Sequence, residues 1–582
     1  NIEDFEDFSI TLVQKNRKKV KIDVEGVSKR GQDLIIFCRK NLEQNIISGF
    51  KDVLQIKISF SPVMDLLELL KNAFFNENNI DEWDNINEKL PSLKFIYGPP
   101  GTGKTTTICN EIEKIVQENY QAKFLLLTPT NKAADVVCKK LIDNQNQIEA
   151  GETVEENMFG MPVSMIRIGR QTNDELGEYD KDLYQNSLDK MLLDNTHLVA
   201  STIHRIPYYD VLDQESNSST KLFKMEEYWD YVIFDEASMT NLPYIVFAIM
   251  AVHKFNPDAK FIIAGDPKQI PPVVNVTDKE LEEIDIQDEN IYTMMGINSF
   301  NPDQQIIRDG DEIQNLTTQY RSVKPIGQLF SNLSYNNLLK HHRQYDNRKA
   351  KEIPEKLKGL LNKNVTFIDI PLDVDNSIFR IDKLFYSSYH TYSAILVAEI
   401  VKYFDSLLNE NESWTIGLIA PYKAQAVILN KLITSFGISE KLKIYSDTVH
   451  GFQGDECDMI FFIANPNNTR YTGHYKSLLS KEYIYNVAIS RAKDYLVVLH
   501  PFETIADNPY INKLRQSYIE NFGENTIKRH QEFEQILFNQ SDFIEKNSFI
   551  TGHDNVNVFG QIEMKYFIKS SDNAIDIQLR KF

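Results

Sequence analysis

The sequence predicts an α/β protein: two tandem parallel sheets clad in helices, a small β-rich segment in front, and a short α+β tail behind. Three observations predict it. An apolar run, Lys94-Phe95-Ile96-Tyr97, enters a glycine-bounded loop, and Lys104-Thr105 then opens a helix. From Pro91 onward, β-branched or apolar runs alternate with helical stretches; Phe124-Leu125-Leu126-Leu127, Tyr231-Val232-Ile233-Phe234 and Phe261-Ile262-Ile263 each end in a polar loop. A second alternation follows with Val365-Thr366-Phe367-Ile368, Thr415-Ile416-Gly417-Leu418-Ile419, Met459-Ile460-Phe461-Phe462 and Tyr495-Leu496-Val497-Val498-Leu499. Unbroken apolar strands separated by helices belong to parallel sheets covered on both faces, with ligands gathered at the carboxyl ends of the strands.

In chain order, residues 1–60 read as a barrel-like β segment, with strands at Ser9–Val13, Lys19–Val24 and Leu34–Phe37 between charged or Gly-containing turns. Residues 61–90 are a helix, with apolar spacing over 62–76, and a polar linker. The first parallel-sheet domain spans 91–310 and carries an acidic helical insertion at about 171–195. The second spans 311–500, and 501–582 is a C-terminal extension with helix and a final hairpin at Lys565–Ile568 and Ala574–Ile577. A chain of 582 residues is too long for one core, and this division supplies several.

Composition narrows the function classes. Hydrophobic content of 42% and charged content of 25% suit a soluble globular protein. No apolar run reaches membrane-span length, and the acidic start Asn1-Ile2-Glu3-Asp4 has the wrong charge for a secretory signal, so no membrane partner is expected. The chain does not begin with Met, which predicts a trimmed or partial chain. Cys38, Cys109, Cys138 and Cys457 form no Cys-x2-Cys pair, so zinc is not expected. A reducing compartment fits, cytoplasmic or, in a eukaryote, nuclear. A net charge of −20 opposes a polyanionic partner unless a local groove is neutral or basic, and it predicts weak, salt-sensitive non-specific binding.

Chemistry enters at Gly98-Pro99-Pro100-Gly101-Thr102-Gly103-Lys104-Thr105-Thr106. The spacing Gly-x4-Gly-Lys-Thr is a phosphate-binding loop. Glycines let backbone N–H groups turn inward around phosphate oxygens, and the helix that follows adds its positive end. Lys104 is placed for the β- and γ-phosphates, and the Thr105 hydroxyl for Mg²⁺. A plain Gly-rich turn would not need strand, loop and helix in this order. Val232-Ile233-Phe234-Asp235-Glu236-Ala237-Ser238 is an apolar strand ending in two acids. Asp235 would hold the Mg²⁺ of ATP, and Glu236 would polarise the attacking water. An acidic helix cap is the simpler alternative.

These two motifs together resemble those of the superfamily 1 helicases, in the 5′→3′ group that includes the nonsense-mediated-decay helicase and the Okazaki-fragment helicase–nuclease. Further motifs resemble that family in order: Thr128-Pro129-Thr130-Asn131, Arg167-Ile168-Gly169, Ala200-Ser201-Thr202, Gly265-Asp266-Pro267-Lys268-Gln269, Gln319-Tyr320-Arg321-Ser322, Ala420-Pro421-Tyr422-Lys423, Thr448-Val449-His450-Gly451-Phe452-Gln453-Gly454-Asp455-Glu456 and Asn486-Val487-Ala488-Ile489-Ser490-Arg491. The match runs from about 90 to 500. It implies two RecA-like domains facing across an ATP cleft.

In that arrangement Gln269 would sense the γ-phosphate, and Arg321 and Arg491 would enter from the second domain as arginine fingers. Gly454 and Glu456 would lie at the nucleotide, with Glu456 on the ribose. Single-stranded DNA or RNA would cross the strand tops at Thr128, Pro129, Thr130, Asn131, Arg167, Ser201, Thr202, Pro421, Tyr422, Thr448 and His450. Hydroxyls, amides and backbone N–H groups can hold phosphates without reading sequence, and Tyr422 or His450 could stack on a base.

There are two departures from the group. No Gln lies in 62–76 to read adenine, and His450 stands where the decay branch usually has Asp. The basic cluster Lys340-His341-His342-Arg343 through Lys351 reads either as a phosphate contact or as a solvated face. The leading expectation is an ATP-driven motor moving 5′→3′ and separating duplexes. The alternative is a nucleic-acid-stimulated ATPase that remodels complexes, or an ATP-gated clamp or sensor serving a protein partner or a domain preceding Asn1.

Overall fold

The computed structural model describes residues 8–14, 19–22, 24–30, 33–38, 53–60, 90–149, 162–169, 176, 183–185, 188–213, 218–272, 290–344, 350–361, 363–373, 375–376, 378–384, 387–452, 454–466, 477–503, 508–523, 527–551, 555–559, 564–571 and 574–581. The helix expected at 62–76, the linker after it and Gln453 lie outside these residues.

Strands Phe8–Gln14, Lys19–Ile22, Val24–Arg30, Asp33–Cys38 and Val53–Phe60 pair antiparallel, in keeping with a β-rich start. Val24–Arg30 and Val53–Phe60 were not foreseen, although Leu54-Gln55-Ile56-Lys57-Ile58 alternates as a strand should.

The first large sheet contains β1 (Leu93–Tyr97), β2 (Phe124–Thr128), β3 (Met165–Ile168), β4 (Tyr184–Gln185), β5 (Leu198–Thr202), β6 (Tyr231–Phe234), β7 (Lys260–Gly265) and β8 (Glu312–Asn315). Its spatial order is β8-β1-β7-β6-β2-β5-β3-β4, and every pairing is parallel. All five residues of β2 are buried, as an unbroken apolar strand between two helical layers requires. Helix α1 (Lys104–Glu118) covers one face through Ile108, Ile112 and Val116, which recur at helical spacing. Helix α2 (Asn131–Glu149) packs beside it.

Strand β8 extends this sheet past the boundary expected at 310. Its sequence Glu-Ile-Gln-Asn is that of a half-exposed edge, so no apolar run marked it. The insertion expected to be helical at about 171–195 is helical over Lys190–Asp194, but Tyr184–Gln185 joins the sheet edge. Leu188–Asp189 joins a small sheet with Asp210–Asp213 and Ser218–Lys221.

The second sheet contains β9 (Val365–Asp369), β10 (Trp414–Ala420), β11 (Leu442–Thr448), β12 (Cys457–Ile463), β13 (Ala492–His500) and β14 (Ile527–Arg529). They lie in the order β11-β10-β12-β13-β9-β14, again all parallel. Helix α3 (Lys324–Ser334) packs on α4 (Glu482–Ser490), on β13 and on α5 (Pro509–Phe522). The 501–582 segment is therefore not a separate tail throughout. Strand β14 completes the second sheet, and α5 is tied to α3 by Asn332 Nδ2 to Ser517 Oγ at 2.8 Å and Lys513 Nζ to the Leu333 carbonyl at 3.0 Å. Beyond them, Ser548–Thr551, Asn555–Phe559, Met564–Ser571 and Ala574–Lys581 form an antiparallel meander that includes the expected final hairpin.

Candidate active site and strand-binding face

Strand β1 delivers the chain into the loop Gly98 to Lys104. The loop is anchored to the neighbouring strand end by Gly98 N–H to the Gly265 carbonyl at 3.0 Å. Gly101 and Gly103 adopt φ of +70° and +83°, which side chains with a Cβ disfavour. A Cβ on Gly98 would overlap the Lys104 side chain, so that glycine leaves room for Lys104 to fold back across the loop. Lys104 Nζ donates to the Gly98 carbonyl at 2.8 Å and stands 4.0 Å from Glu236 Oε1. Thr102 Oγ1 closes the turn on the Pro99 carbonyl at 2.7 Å. Thr105 and Thr106 follow in the first turn of α1.

Asp235 and Glu236 leave the end of β6, two strands away in the sheet. The Asp235 N–H donates to the Leu127 carbonyl at 3.0 Å, and its Oδ1 accepts the Glu236 N–H at 2.9 Å. Glu236 holds φ at +51°, a strained value for a residue with a side chain. Its Oε2 is buried without a hydrogen-bond partner. Burial first, and the Glu236 charge second, raise the Asp235 carboxyl above its ordinary range, against the opposing pull of Lys104.

The second lobe closes over this loop. Tyr320 N–H donates to the Gly101 carbonyl at 2.8 Å, and a Cβ on Gly101 would stand 2.7 Å from Arg321 Cβ. Only glycine at 101 lets Arg321 come so close. The Arg321 guanidinium donates to the Ser490 carbonyl at 3.0 Å and pairs with Glu456. Glu456 also pairs with Lys493 Nζ at 2.9 Å. Burial would push the Glu456 carboxyl up, but Arg321 and Lys493 outweigh it and hold the value down. Two cations thus hold the Glu456 carboxylate against the Arg321 loop. Gly454, expected at the nucleotide, lies near Lys132 of the first lobe, where a Cβ would stand 4.0 Å from Lys132 Cε, and its neighbour Asp455 pairs with Lys132 Nζ at 2.5 Å.

Arg491, at the end of α4, is 3% exposed. It donates to Gln269 Oε1 at 3.1 Å and to the Val487 carbonyl at 3.2 Å. Burial, then the charge of Arg321, lower its pKa to about 10. Gln269 Nε2 in turn donates to Asp266 Oδ2 at 2.9 Å. The six residues expected at the reacting centre, Lys104, Asp235, Glu236, Gln269, Arg321 and Arg491, therefore line one cleft between the lobes. Residues not singled out complete it. Tyr335 OH donates to Asp266 Oδ2 at 2.7 Å, and Asn486 Nδ2 reaches both Tyr335 OH at 2.6 Å and the Lys268 carbonyl at 2.8 Å. Asn486 lay inside a quoted motif; nothing in sequence marked Tyr335.

The basic cluster after the Tyr-Arg motif is a solvated face only in part: Lys340 and Lys351 are exposed, whereas Arg343 is drawn into the second lobe. Arg343 pairs with Asp494 at 2.8 Å and donates to the carbonyls of Arg321 and Lys493 at 3.0 and 3.1 Å. Lys351 pairs with Asp458 at 2.8 Å. Arg343 braces the Arg321 loop, and Lys351 ties to the second sheet at Ser413 and Asp458; 345–349 lie outside the described residues.

The strand tops carry the remaining expected residues. Thr128 ends β2 opposite Thr202 of β5, and Ser201 lies opposite Ile168 of β3. Pro129, Thr130 and Asn131 lead from β2 into α2. Thr128 Oγ1 donates to the Thr130 carbonyl at 2.8 Å, Thr130 Oγ1 accepts Ala133 N–H at 3.2 Å, and Ser201 Oγ lies 3.3 Å from the Thr202 carbonyl. Thr128, Ser201 and Thr202 are buried. Arg167 is fully buried too, which corrects its reading as a strand contact. Its Nε pairs with Asp135 at 2.8 Å, and NH2 donates to Asn131 Oδ1 at 2.9 Å and to the Asn131 carbonyl at 3.1 Å. It shapes the loop from beneath. In the second lobe Thr448 lies opposite Ala420, which brings Pro421 and Tyr422 beside Thr448 and His450. Tyr422 is half-buried, while His450 is exposed with its ring edge-on to Tyr483 at 6.5 Å.

Two parallel-sheet lobes that share one phosphate cleft make this a two-lobed phosphate-loop ATPase. Two family models, each described as an AAA domain, match residues 85–275 and 303–501, one on each lobe. The chain is 25% identical over 492 residues to the DNA polymerase alpha-associated DNA helicase A of Saccharomyces cerevisiae, covering 76% of this chain and 67% of that protein. It is 25% identical to the DNA replication ATP-dependent helicase/nuclease DNA2 of the same yeast, covering 76% of this chain and 27% of that one. It is 23% identical to the RNA helicase Mov10l1 of Mus musculus, covering 74% and 34%. The chain thus spans from about a quarter to two thirds of these relatives. It belongs to the superfamily 1 helicases and is an ATP-hydrolysing enzyme.

Proposed function

We propose that the chain is a motor that hydrolyses ATP in the inter-lobe cleft, moves 5′→3′ along single-stranded DNA or RNA, and separates duplexes. The observation that carries this is the reach of the second lobe into the first: Tyr320 on the Gly101 carbonyl at 2.8 Å, and Arg491 on Gln269 at 3.1 Å. A cleft completed only by closure makes lobe separation respond to the nucleotide, which is what stepping needs.

The residues fit ATP with Mg²⁺. Gly98 and Gly101 let Lys104 and Arg321 pack directly against the loop, and Glu236 Oε2 is buried and unpartnered. Asp235 and Glu236 bring two carboxylates together beside a single Lys104 charge, a donor set suited to a divalent cation. Thr105 and Asp235 would hold Mg²⁺, which supplies neutralisation of the phosphate charge when bound. The loop N–H groups and Lys104 bind the phosphates. Glu236 orients water and accepts its proton. Gln269, fixed by Asp266, lies beside Arg491, and with Arg321 that guanidinium neutralises charge as it develops.

The strand would cross the tops of β2, β5 and β3 in one lobe and of β10 and β11 in the other. Many hydroxyls there already bond the chain itself. Backbone amides and the exposed side chains of Thr130 and His450 would meet the phosphates and bases. Such contacts need little net positive charge, in keeping with −20 for the chain. Among the described residues no helix is long and apolar enough to cross a membrane. Cys109, Cys138 and Cys457 are free and buried, in keeping with a reducing cytoplasmic or nuclear setting.

Strand displacement on matched DNA and RNA duplexes, tailed on either the 5′ or the 3′ strand, tests this function. ATP-dependent release from 5′-tailed substrates is expected. Release from 3′-tailed substrates alone would reverse the polarity, and ATP turnover without release would leave a remodelling ATPase.

A further inference from the structure

Tyr335 belongs to no motif of the ATP cleft, and it is completely buried. It follows α3, which packs on α4 and β13 of the second lobe, yet its hydroxyl crosses to the first. There it donates to Asp266 Oδ2 at 2.7 Å. The same carboxylate oxygen accepts Gln269 Nε2 at 2.9 Å, and the other accepts the Lys268 N–H at 3.0 Å. A carboxylate accepts only donors, so the Gln269 amide is held with its NH₂ toward Asp266 and its carbonyl toward Arg491. Asn486 donates to Tyr335 OH at 2.6 Å and to the Lys268 carbonyl at 2.8 Å, and it lies on α4, the helix that ends at Arg491. The loop that carries Gln269 is thus gripped from the second lobe at both its carboxylate and its backbone. The backbone half of the grip, Asn486, comes from the helix that presents Arg491, and the carboxylate half, Tyr335, from the end of α3.

We propose that Tyr335, with Asn486, is a positioning residue for ATP hydrolysis: its hydroxyl ties Asp266 to the second lobe, so that Gln269 faces Arg491 only when the lobes are closed. Tyr335 touches no substrate atom and works through Asp266 and Gln269. A buried network of this kind has one fully satisfied arrangement, and loss of a single member leaves a buried carboxylate short of a donor. Opening the lobes would remove both Tyr335 and Asn486 from the loop together and release the Gln269 amide. Closure is thereby linked to the orientation of one side chain.

The inference rests on Gln269 and Arg491 acting on the γ-phosphate, as proposed above. The test is steady-state ATP hydrolysis of the full chain, with saturating single strand, for Y335F, Q269A and the double variant. Tyr335→Phe removes one oxygen and keeps the ring packing. We expect kcat to fall about 10- to 100-fold with KM for ATP within about threefold, as for loss of an interaction made mainly in the transition state. The double variant should be no slower than Q269A alone. Additive losses, or wild-type kcat in Y335F while Q269A is slow, would overturn the inference. Wild-type kcat in Q269A would instead overturn the reading of the site. Should Y335F fold poorly by circular dichroism, N486S cuts the same grip from its other end and is held to the same kcat and KM split.

Discussion

The ATP cleft and the strand-binding face lie on the same two sheets but are built in opposite ways. In the cleft, charged side chains come from one lobe against the other or lie buried without a partner: Arg491 meets Gln269, Arg321 packs against Gly101, and Glu236 Oε2 has no partner. On the face, hydroxyls bond their own loops, and Arg167 lies wholly beneath the surface it was expected to form. The difference teaches where binding energy resides. Chemistry on a phosphate needs charge held ready and aimed. A grip that must slide along any sequence needs shaped backbone, whose N–H groups do not discriminate among bases.

Changing the cleft should therefore stop turnover, whereas changing the face should alter loop stability or little at all. The largest effect is expected at Glu236. Glu236→Gln keeps the shape but removes the base, and ATP turnover should fall roughly 10²- to 10⁴-fold in a phosphate-release assay. Wild-type turnover would remove Glu236 from the catalytic role. Arg167→Ala should act on the fold instead. It leaves the Asp135 charge buried without its partner, at a cost of about 3–5 kcal/mol in urea denaturation. A cost under about 1 kcal/mol would place the pair in solvent rather than in the interior.

A smaller effect is expected from pH, through two buried histidines on the second-lobe side. Burial, then the Lys324 charge, holds His341 down to about 4, and burial holds His390 to about 4 as well. Unfolded imidazoles take up protons below about 6.5, whereas these stay neutral until about 4. Their contribution to stability is thus complete above 6.5 and is lost as the pH falls from 6.5 toward 4. Histidine resonances of His341 and His390 that titrate near 6.5 would contradict this burial. The smallest effect belongs to Thr128→Val. Its hydroxyl already bonds the Thr130 carbonyl, so affinity for a fluorescent single strand should change less than about threefold, under the worth of one ordinary hydrogen bond. A tenfold loss would make that hydroxyl a direct phosphate ligand.

The same contrast explains what was legible in the sequence. Lys104, Asp235, Glu236 and Gln269 each follow an apolar strand, and a buried strand in a parallel sheet announces itself as an unbroken run of Val, Ile, Leu and Phe. Strands β8 and β14 are edges with polar or mixed sequence, so 310 and 501 fell short as boundaries. Residues whose meaning depends on a distant partner were hidden. Arg167 looks like a basic contact until Asp135 and Asn131 close around it, and no local signal shows that Glu456 pairs with Arg321 and Lys493. Arg343 joined a basic cluster by sequence, yet it braces the carbonyls of Arg321 and Lys493. Tyr335 had no local signal at all, because a buried tyrosine after an amphipathic helix is ordinary until its hydroxyl finds Asp266.

A cleft shared by two lobes is the central claim, and Arg491 tests it most directly, since it reaches Gln269 from the other lobe. In Arg491→Ala, at saturating single strand, kcat for ATP hydrolysis should fall by about 10³-fold or more while the protein stays folded. Turnover within about threefold of wild type, with the fold intact, would mean that the first lobe hydrolyses ATP alone and would contradict the shared cleft.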